Sequence, residues 1–577
     1  VAKLRLAQFS GEIPRLLSRL LPDTGAQFAE NVRLDDGGLT PIRKSRTEYV
    51  FAGASGLQTI YKFGATWLSW ATPVNAVPGP VATDRLYYTG DGAPKMRVGA
   101  TIYDLAVQFP TAALTASNAG VGSGDVITRL YVYTWVTSYD EESEPCPISA
   151  DVTWQSGITT TLSGFQAAPA GRSITKQRIY RSQSSNQSGT DLFLIEERAA
   201  TVASYIDVHG AADFAEVLPS RDYNAPPADL AGLIAMPNGM MVGFSGKQLC
   251  FSEPFKPHAW PEKYRLTASY PIVGLGAYGS TVVAGTTGYP YVASGNAPDS
   301  MVEEKIEVNL PCVNGRGVVD LGYSVAYPSN DGLVVVSGGG ATVATDALFT
   351  RPKWQRLNPS TFVSGQFAGR YFASFTYTEA DGSITTGTRI IDLTGQQPFV
   401  LRSSINPSAF HYDLPTGILY YVLDDTVYEW DAFGETNEIM TWTSKRVILE
   451  APASFGAVLV ESGALLTVED QIAQDAAIAA IEAANAIIFA GDMGADIDGS
   501  AIDELAIAGD AMAPLPGDKY ISVRIYADGK LIRTVTELDA VKRIPPVRAK
   551  EWEIQVNGTA EVEQITMAST ARELNEL

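Results

Sequence analysis

GSTVVAGTTGYPYVASG, Gly279–Gly295, places two apolar, β-rich runs on either side of Thr287-Gly288. Val and Tyr favour a pleated, packed backbone, and glycine between such runs supplies the turn, so the stretch reads as a hairpin. The plan recurs on both sides of it. GMMVGFSGKQLCFSEP starts at Gly239 and turns at Gly246-Lys247; GYSVAYPSNDGLVVVSGGG starts at Gly322 and turns at Asp331-Gly332. GRYFASFTYTEADGSITTGTRIIDL follows from Gly369 with Asp381-Gly382, and FHYDLPTGILYYVLDDTVYEWDA from Phe410 with Asp424-Asp425. The starts are 40, 43, 47 and 41 residues apart. A step of about 40–45 residues with four strands per unit is that of a β-propeller blade. A small sheet cannot cover both of its own faces, whereas neighbouring sheets in a ring cover them all. Unrelated hairpins in a β-sandwich are the rival reading.

Upstream, TRLYVYTWVTSYDEESEPCPIS alternates Leu130, Val132, Thr134 and Val136 and ends in a polar turn at Asp140–Glu144. Arg178-Ile179-Tyr180-Arg181 and Phe193-Leu194-Ile195 add two strands. With the closing TVASYIDV, residues 118–225 resemble a fibronectin type III β-sandwich, a spacer or interaction module. Downstream, Thr467-Val468-Glu469-Asp470 has helix-start chemistry, QIAQDAAIAAIEAANAIIFA is Ala-rich, and Gly491 is a stop. A second short helix near Ala501–Ala508 would complete a helical hairpin, before KYISVRIYADGKLIRTV returns to strand.

The expected fold is therefore mainly β: a propeller carrying an inserted fibronectin type III-like sandwich and an acidic Ala-rich helical insertion. Its parts are an N-terminal arm over 1–50, first propeller or platform strands over 51–117, the sandwich over 118–225 and blades over 226–450. A last-blade strand and the acidic helical hairpin fill 451–518, and strands of 519–577 close the propeller. At 577 residues the chain is long enough for two to four folding units. Hydrophobic residues make up 45% of it and charged ones only 18%, so it can bury cores.

Net charge is −22, and it is uneven. No Lys or Arg lies between Arg446 and Lys519, while thirteen acidic residues fall there, from Glu450 to Asp518. That stretch is either an electronegative wall facing an anion or a solvated acidic insertion. A nucleic-acid binder that displaces counterions needs clustered Lys and Arg, and an anionic membrane surface would repel this chain too. Cys146, Cys250 and Cys312 are odd in number and far apart, which favours a reducing compartment over a disulfide framework or zinc site. Arg15 and Arg19 interrupt the N-terminal leucines, and the uncharged run Leu266–Pro298 is filled with Gly, Ser, Thr and Pro. Neither reads as a signal or a membrane helix, so assembly in a cytoplasm is expected.

Chemistry is sparse. Gly274–Gly279 matches GxGxxG, but a strand pattern follows it where a dinucleotide site needs a helix. Gly243-Phe244-Ser245-Gly246 only grazes a nucleophile elbow. His209, His258 and His411 stand in unlike contexts and read as structural. Ser329-Asn330-Asp331-Gly332 approaches a sialidase-type repeat without its Trp, and Asp496-Ile497-Asp498-Gly499 lacks the further ligands of a calcium loop. Trp260, Trp354, Trp430, Trp442 and Trp552 could stack on sugar, though burial between blades is the commoner use. No enzyme activity, cofactor or metal is expected.

Three further stretches are AENVRLDDGGLTPIRKSRTEYVF (Ala29–Phe51), CFSEPFKPHAWP (Cys250–Pro261) and RIPPVRAKEWEIQVNGTAEVEQITMASTAREL (Arg543–Leu574), in that order along the chain. Together they resemble nozzle proteins of short-tailed bacteriophages, the tail tubular protein B type. The resemblance implies a virion structural protein, assembled in the host bacterial cytoplasm into the virion tail. It implies a homo-hexameric ring below the tail adaptor, possible contact with tail fibres or spikes, and transient, non-specific passage of DNA. Glu469, Asp470, Asp475 and Glu482 become candidate lumen-facing residues, since an acidic wall lets phosphate slide past. A carbohydrate-binding or carbohydrate-active propeller adhesin is the alternative, and a scaffold for cytosolic partners a third.

Overall fold

The computed structural model describes residues 3–184, 190–213, 215–395, 397–462 and 520–575, together with single positions of 476–486. The chain is mainly β, 48% strand and 6% helix, in many small sheets. It divides into two compact units: residues 1–53, 345–358 and 365–577 form the first, and 54–344 with 359–364 the second.

The second unit contains four consecutive four-stranded antiparallel meanders. The first runs Asn75–Pro78, Arg85–Thr89, Lys95–Val98, Thr101–Asp104; the second Ala231–Ala235, Met241–Ser245, Gln248–Phe251, Leu266–Thr267. The third is Ile272–Tyr278, Thr281–Thr286, Tyr291–Ser294, Val302–Lys305, and the fourth Val319–Asp320, Val325–Pro328, Leu333–Ser337, Gly340–Val343. The first strand of each meander lies against the first strand of the next.

Period-two geometry explains why the sequence repeats. Met241 and Cys250 enter a core shared with the first meander, while Val242, Leu249 and Phe251 enter one shared with the third. In the third, Val282 and Ala284 face back and Val283 faces forward, toward Val325, Tyr327 and Val334. Each sheet is buried on both faces, which is why its strands read as continuous apolar runs. The GxGxxG glycines serve this packing: a Cβ on Gly276 would sit 2.6 Å from Val325 Cγ1, and one on Gly274 2.7 Å from Val318 Cγ2. The segment is the strand Ile272–Tyr278, as its sequence context indicated.

Between the first and second meanders the chain forms three small sheets. Thr115–Ala119, Thr159–Ser163 and Tyr205–Asp207 make one, Ser123–Arg129 with Val152–Ser156 another, and Tyr131–Thr137, Ile174–Ser184 and Thr190–Ala199 the third. They share a core of their own containing Tyr131, Tyr133, Trp135, Leu162, Phe165 and Ile179.

In the first unit a ten-stranded sheet sets Ala26–Glu30 between Phe399–Ser403, which it meets in parallel, and Met440–Ser444, antiparallel. Ala549–Gly558, Ile521–Ala527 and Lys530–Val535 continue it. Lys3–Leu6 pairs with Gln564–Ala568, and Arg46–Val50 completes the sheet of Ala409–Asp413, Ile418–Leu423 and Thr426–Glu429.

Three expectations meet a different arrangement. Strands of the first fifty residues lie in four sheets, three of them shared with later strands, rather than standing as an arm, because Leu6, Phe9, Ala29, Val32 and Leu39 belong to the main core. The repeat of 226–450 is shared between the units, its Gly369 hairpin bonded through Phe399–Ser403 into the ten-stranded sheet. The strands after 519 pair in that sheet and beside Lys3–Leu6, whereas the fourth strand of the Phe410 sheet is Arg46–Val50. Of the Ala-rich segment, Ala476, Ala479, Ala480, Ile481, Ala483, Ala484 and Ala486 are described, and all are helical.

Candidate functional site

Glu469, Asp470, Asp475 and Glu482 lie outside the described residues, as do Asp496 and Asp498. The remaining predicted positions are accounted for by packing. All five singled-out tryptophans are buried, so none offers a stacking face. The cysteines are buried and unbridged, and burial pushes the thiols of Cys146 and Cys250 up to about 11 and that of Cys312 to about 12, opposite to the depressed pKa of a reactive thiolate. Among the described residues no group of three or more His, Cys, Asp or Glu could hold a metal ion, and no helix is long and apolar enough to cross a membrane.

Two polar constellations emerge that composition and motif reading missed. One is in the second unit. The centre of the polar turn at Asp140–Glu144 is buried: Glu141, Glu142 and Ser143 are all at most 5% exposed. Glu141 pairs with Arg172 at 2.8 Å; Glu142 accepts from Arg178 (2.8 Å), Tyr180 (2.6 Å) and Thr134 (2.7 Å). The Glu142 carbonyl meets Nε2 of His258, which belongs to the loop after the strand Gln248–Phe251, and Glu144 accepts from Asn224 at 2.6 Å. Burial, with Arg172 close by, pushes the His258 imidazole down to about 3, so the ring is neutral. Among the described residues, Glu141 Oε1, Arg172 Nε and His258 Nδ1 have no hydrogen-bond partner. Through the Glu142–His258 and Glu144–Asn224 contacts this buried network ties the three small sheets to the loops that flank the second meander. Deeper in the same sheets, Asp207 binds Arg129 (3.2 Å), Arg181 (3.1 Å) and Tyr131 (2.8 Å), and Arg181 also donates to the carbonyls of His209, Gly210 and Asp213.

The other lies in the first unit, a cavity of about 540 Å³. Residues 12–27 form one wall, the helix Arg351–Gln355 another, and the hairpin of Arg370–Thr378 and Ile384–Asp392 the floor. Four cations line it, Lys353, Arg356, Arg389 and Arg402, with two carboxylates, Glu12 and Glu379. Arg402 is clamped by Glu12 at 2.5 and 2.7 Å, Arg356 by Glu379 at 3.0 and 2.9 Å, and Lys353 donates to the Pro14 carbonyl. Arg389 lies 4.9 Å over the Phe375 ring and, among the described residues, donates to the Thr388 carbonyl at 3.5 Å.

These features define a mainly β protein of stacked small antiparallel sheets, without an assembled metal or thiol centre among the described residues. No protein-family model and no curated protein matches the chain. Among solved structures, Kluyvelomyces marxianus Hsv2 aligns at 10% identity over 48% of this chain and 90% of its own, TM-score 0.20. The Dos1 propeller aligns at 13% identity over 66% of this chain and 84% of its own, TM-score 0.19. At such TM-scores neither likeness bears on function, and the architecture stands on its own strand order.

Proposed function

We propose that this chain is a virion structural protein, the tail nozzle subunit of a short-tailed bacteriophage, assembled in the host cytoplasm and carried in the virion tail. Six copies form a ring beneath the tail adaptor, adjoining tail fibres or spikes, and DNA passes through it during ejection. The chain performs no catalysis in this role. In this reading the repeat closes into a β-propeller, interrupted by a fibronectin type III-like module at 118–225 and by the acidic helical insertion within 451–518.

The observation that carries the reading is the run of four meanders buried face to face, on a chain of net charge −22. Sheets packed on both faces make a stiff wall rather than a deformable one. Duplex DNA carries one negative charge per about 1.7 Å, so an acidic conduit avoids the accumulated phosphate pairing that would brake it. Six-fold closure needs a heterologous interface, for which the inserted module supplies surface outside the stacked sheets.

Native mass spectrometry and negative-stain microscopy of the protein, alone and mixed with the tail adaptor, test this. A six-fold ring coaxial with the adaptor is expected. A monomer under both conditions, or an off-axis position in virions, overturns it.

A further inference from the structure

Arg389 is the cation in the first unit's cavity with neither a carboxylate nor a short hydrogen bond among the described residues. A bond of 3.5 Å is weak, so the half-buried guanidinium keeps most of its donors for a ligand. Burial, with Arg402 alongside, lowers its proton affinity to about 10 against the opposing fields of Glu12 and Glu30. The two carboxylates that line the cavity, Glu12 and Glu379, are hydrogen-bonded to Arg402 and Arg356, and Glu12 and Glu30 reach Arg389 through their fields alone. Around it, Ile13, Leu16, Phe349, Leu357 and Phe375 supply apolar lining. A volume near 540 Å³ is within the range of small-molecule sites, about 300–1,000 Å³, which combine apolar walls with a few placed polar groups.

We infer that this cavity is a binding site for a carboxylate borne on an apolar body, its charge received by the Arg389 fork. One uncommitted guanidinium suits a single negative charge in bidentate geometry. Three of the four lining cations already hold Glu12, Glu379 or the Pro14 carbonyl, so Arg389 is left to pair one negative charge rather than a dianion. The same chemistry is carried by a free organic acid and by a Glu side chain in an apolar peptide.

Calorimetric titration of the full chain with 4-phenylbutyrate, its neutral amide and inorganic phosphate tests the site. The acid should bind at least about tenfold more tightly than the amide or phosphate. That preference should vanish in Arg389→Gln and in Leu16→Glu, which sets a competing carboxylate on the cavity wall. Leu16 is 37% exposed, so its variant decides the matter if Arg389→Gln does not fold. A further arm compares acetyl-Leu-Glu-Leu-amide with 4-phenylbutyrate; a tighter peptide assigns the source to a protein side chain, a weaker one to a free acid. Equal binding of acid and amide, phosphate binding as tight as the acid, or a preference surviving in both variants overturns the inference.

Discussion

Glu12 clamps Arg402 through two hydrogen bonds, Nε to Oε1 at 2.5 Å and Nη2 to Oε2 at 2.7 Å, across 390 residues of sequence. The Glu12 side chain is 3% exposed and its Oε1 also accepts from the Ala29 amide at 3.0 Å. The pair thus fastens the N-terminal segment to the strand Phe399–Ser403, beside the parallel pairing of Ala26–Glu30.

Glu12→Gln keeps the shape and removes the charge, leaving Arg402 without its partner. Because Arg402 is partly exposed, the cost should be about 2–3 kcal/mol, below that of breaking a fully buried pair. Urea unfolding of the first unit, followed by Trp442 and Trp552 fluorescence, should show the earlier midpoint; an unchanged midpoint would assign the fastening to the strand pairing alone.

Asp207 holds two buried guanidiniums, so Asp207→Asn strands both. A loss of about 3–5 kcal/mol is expected, enough to open the three small sheets ahead of the meanders. Limited proteolysis should then cut first within residues 115–207.

His258 is neutral because burial and Arg172 hold its pKa near 3, below the ordinary 6.5. The unfolded chain therefore binds one more proton than the folded one between those values. Its contribution to stability is complete above pH 6.5 and declines as pH falls toward 3. Melting temperatures measured down this range should fall less steeply in His258→Gln than in the parent; parallel curves would show that His258 does not govern the slope.

Gly276→Ala drives a methyl group to 2.6 Å from Val325 Cγ1 and should cost about 1–3 kcal/mol. Gly338→Ala, with no atom within 4 Å of the new carbon, should be close to neutral. Thermal unfolding of the two variants side by side measures the difference, and equal effects would refute the close-packing role of Gly276.

Much of the local architecture was legible in the residues. Each of the five named turns joins two antiparallel strands, as at Met241–Ser245 with Gln248–Phe251 and Ile418–Leu423 with Thr426–Glu429. The strand reading of Gly274–Gly279 and the buried tryptophans were equally accessible. Hairpins and apolar periodicity are local properties, written in neighbouring residues. The candidate sites were not legible in this way. Glu141 and Glu142 look solvated in sequence because nothing nearby announces Arg172, Arg178 or His258. Arg389 looks like any strand arginine until Glu12 is seen to have taken Arg402 instead.

What the sequence determined by itself is where the chain turns, which runs become strands, and that sheets apolar on both faces must be covered by neighbours. The tertiary structure alone decided which neighbours those are. It sent Ala26–Glu30 and Arg46–Val50 into sheets built hundreds of residues later, and left the Arg389 guanidinium in a cavity without a hydrogen-bonded carboxylate among the described residues. Strand pairing and charge pairing over such separations depend on free-energy differences among many compatible partners, and those differences exist only once the competing surfaces have been brought together.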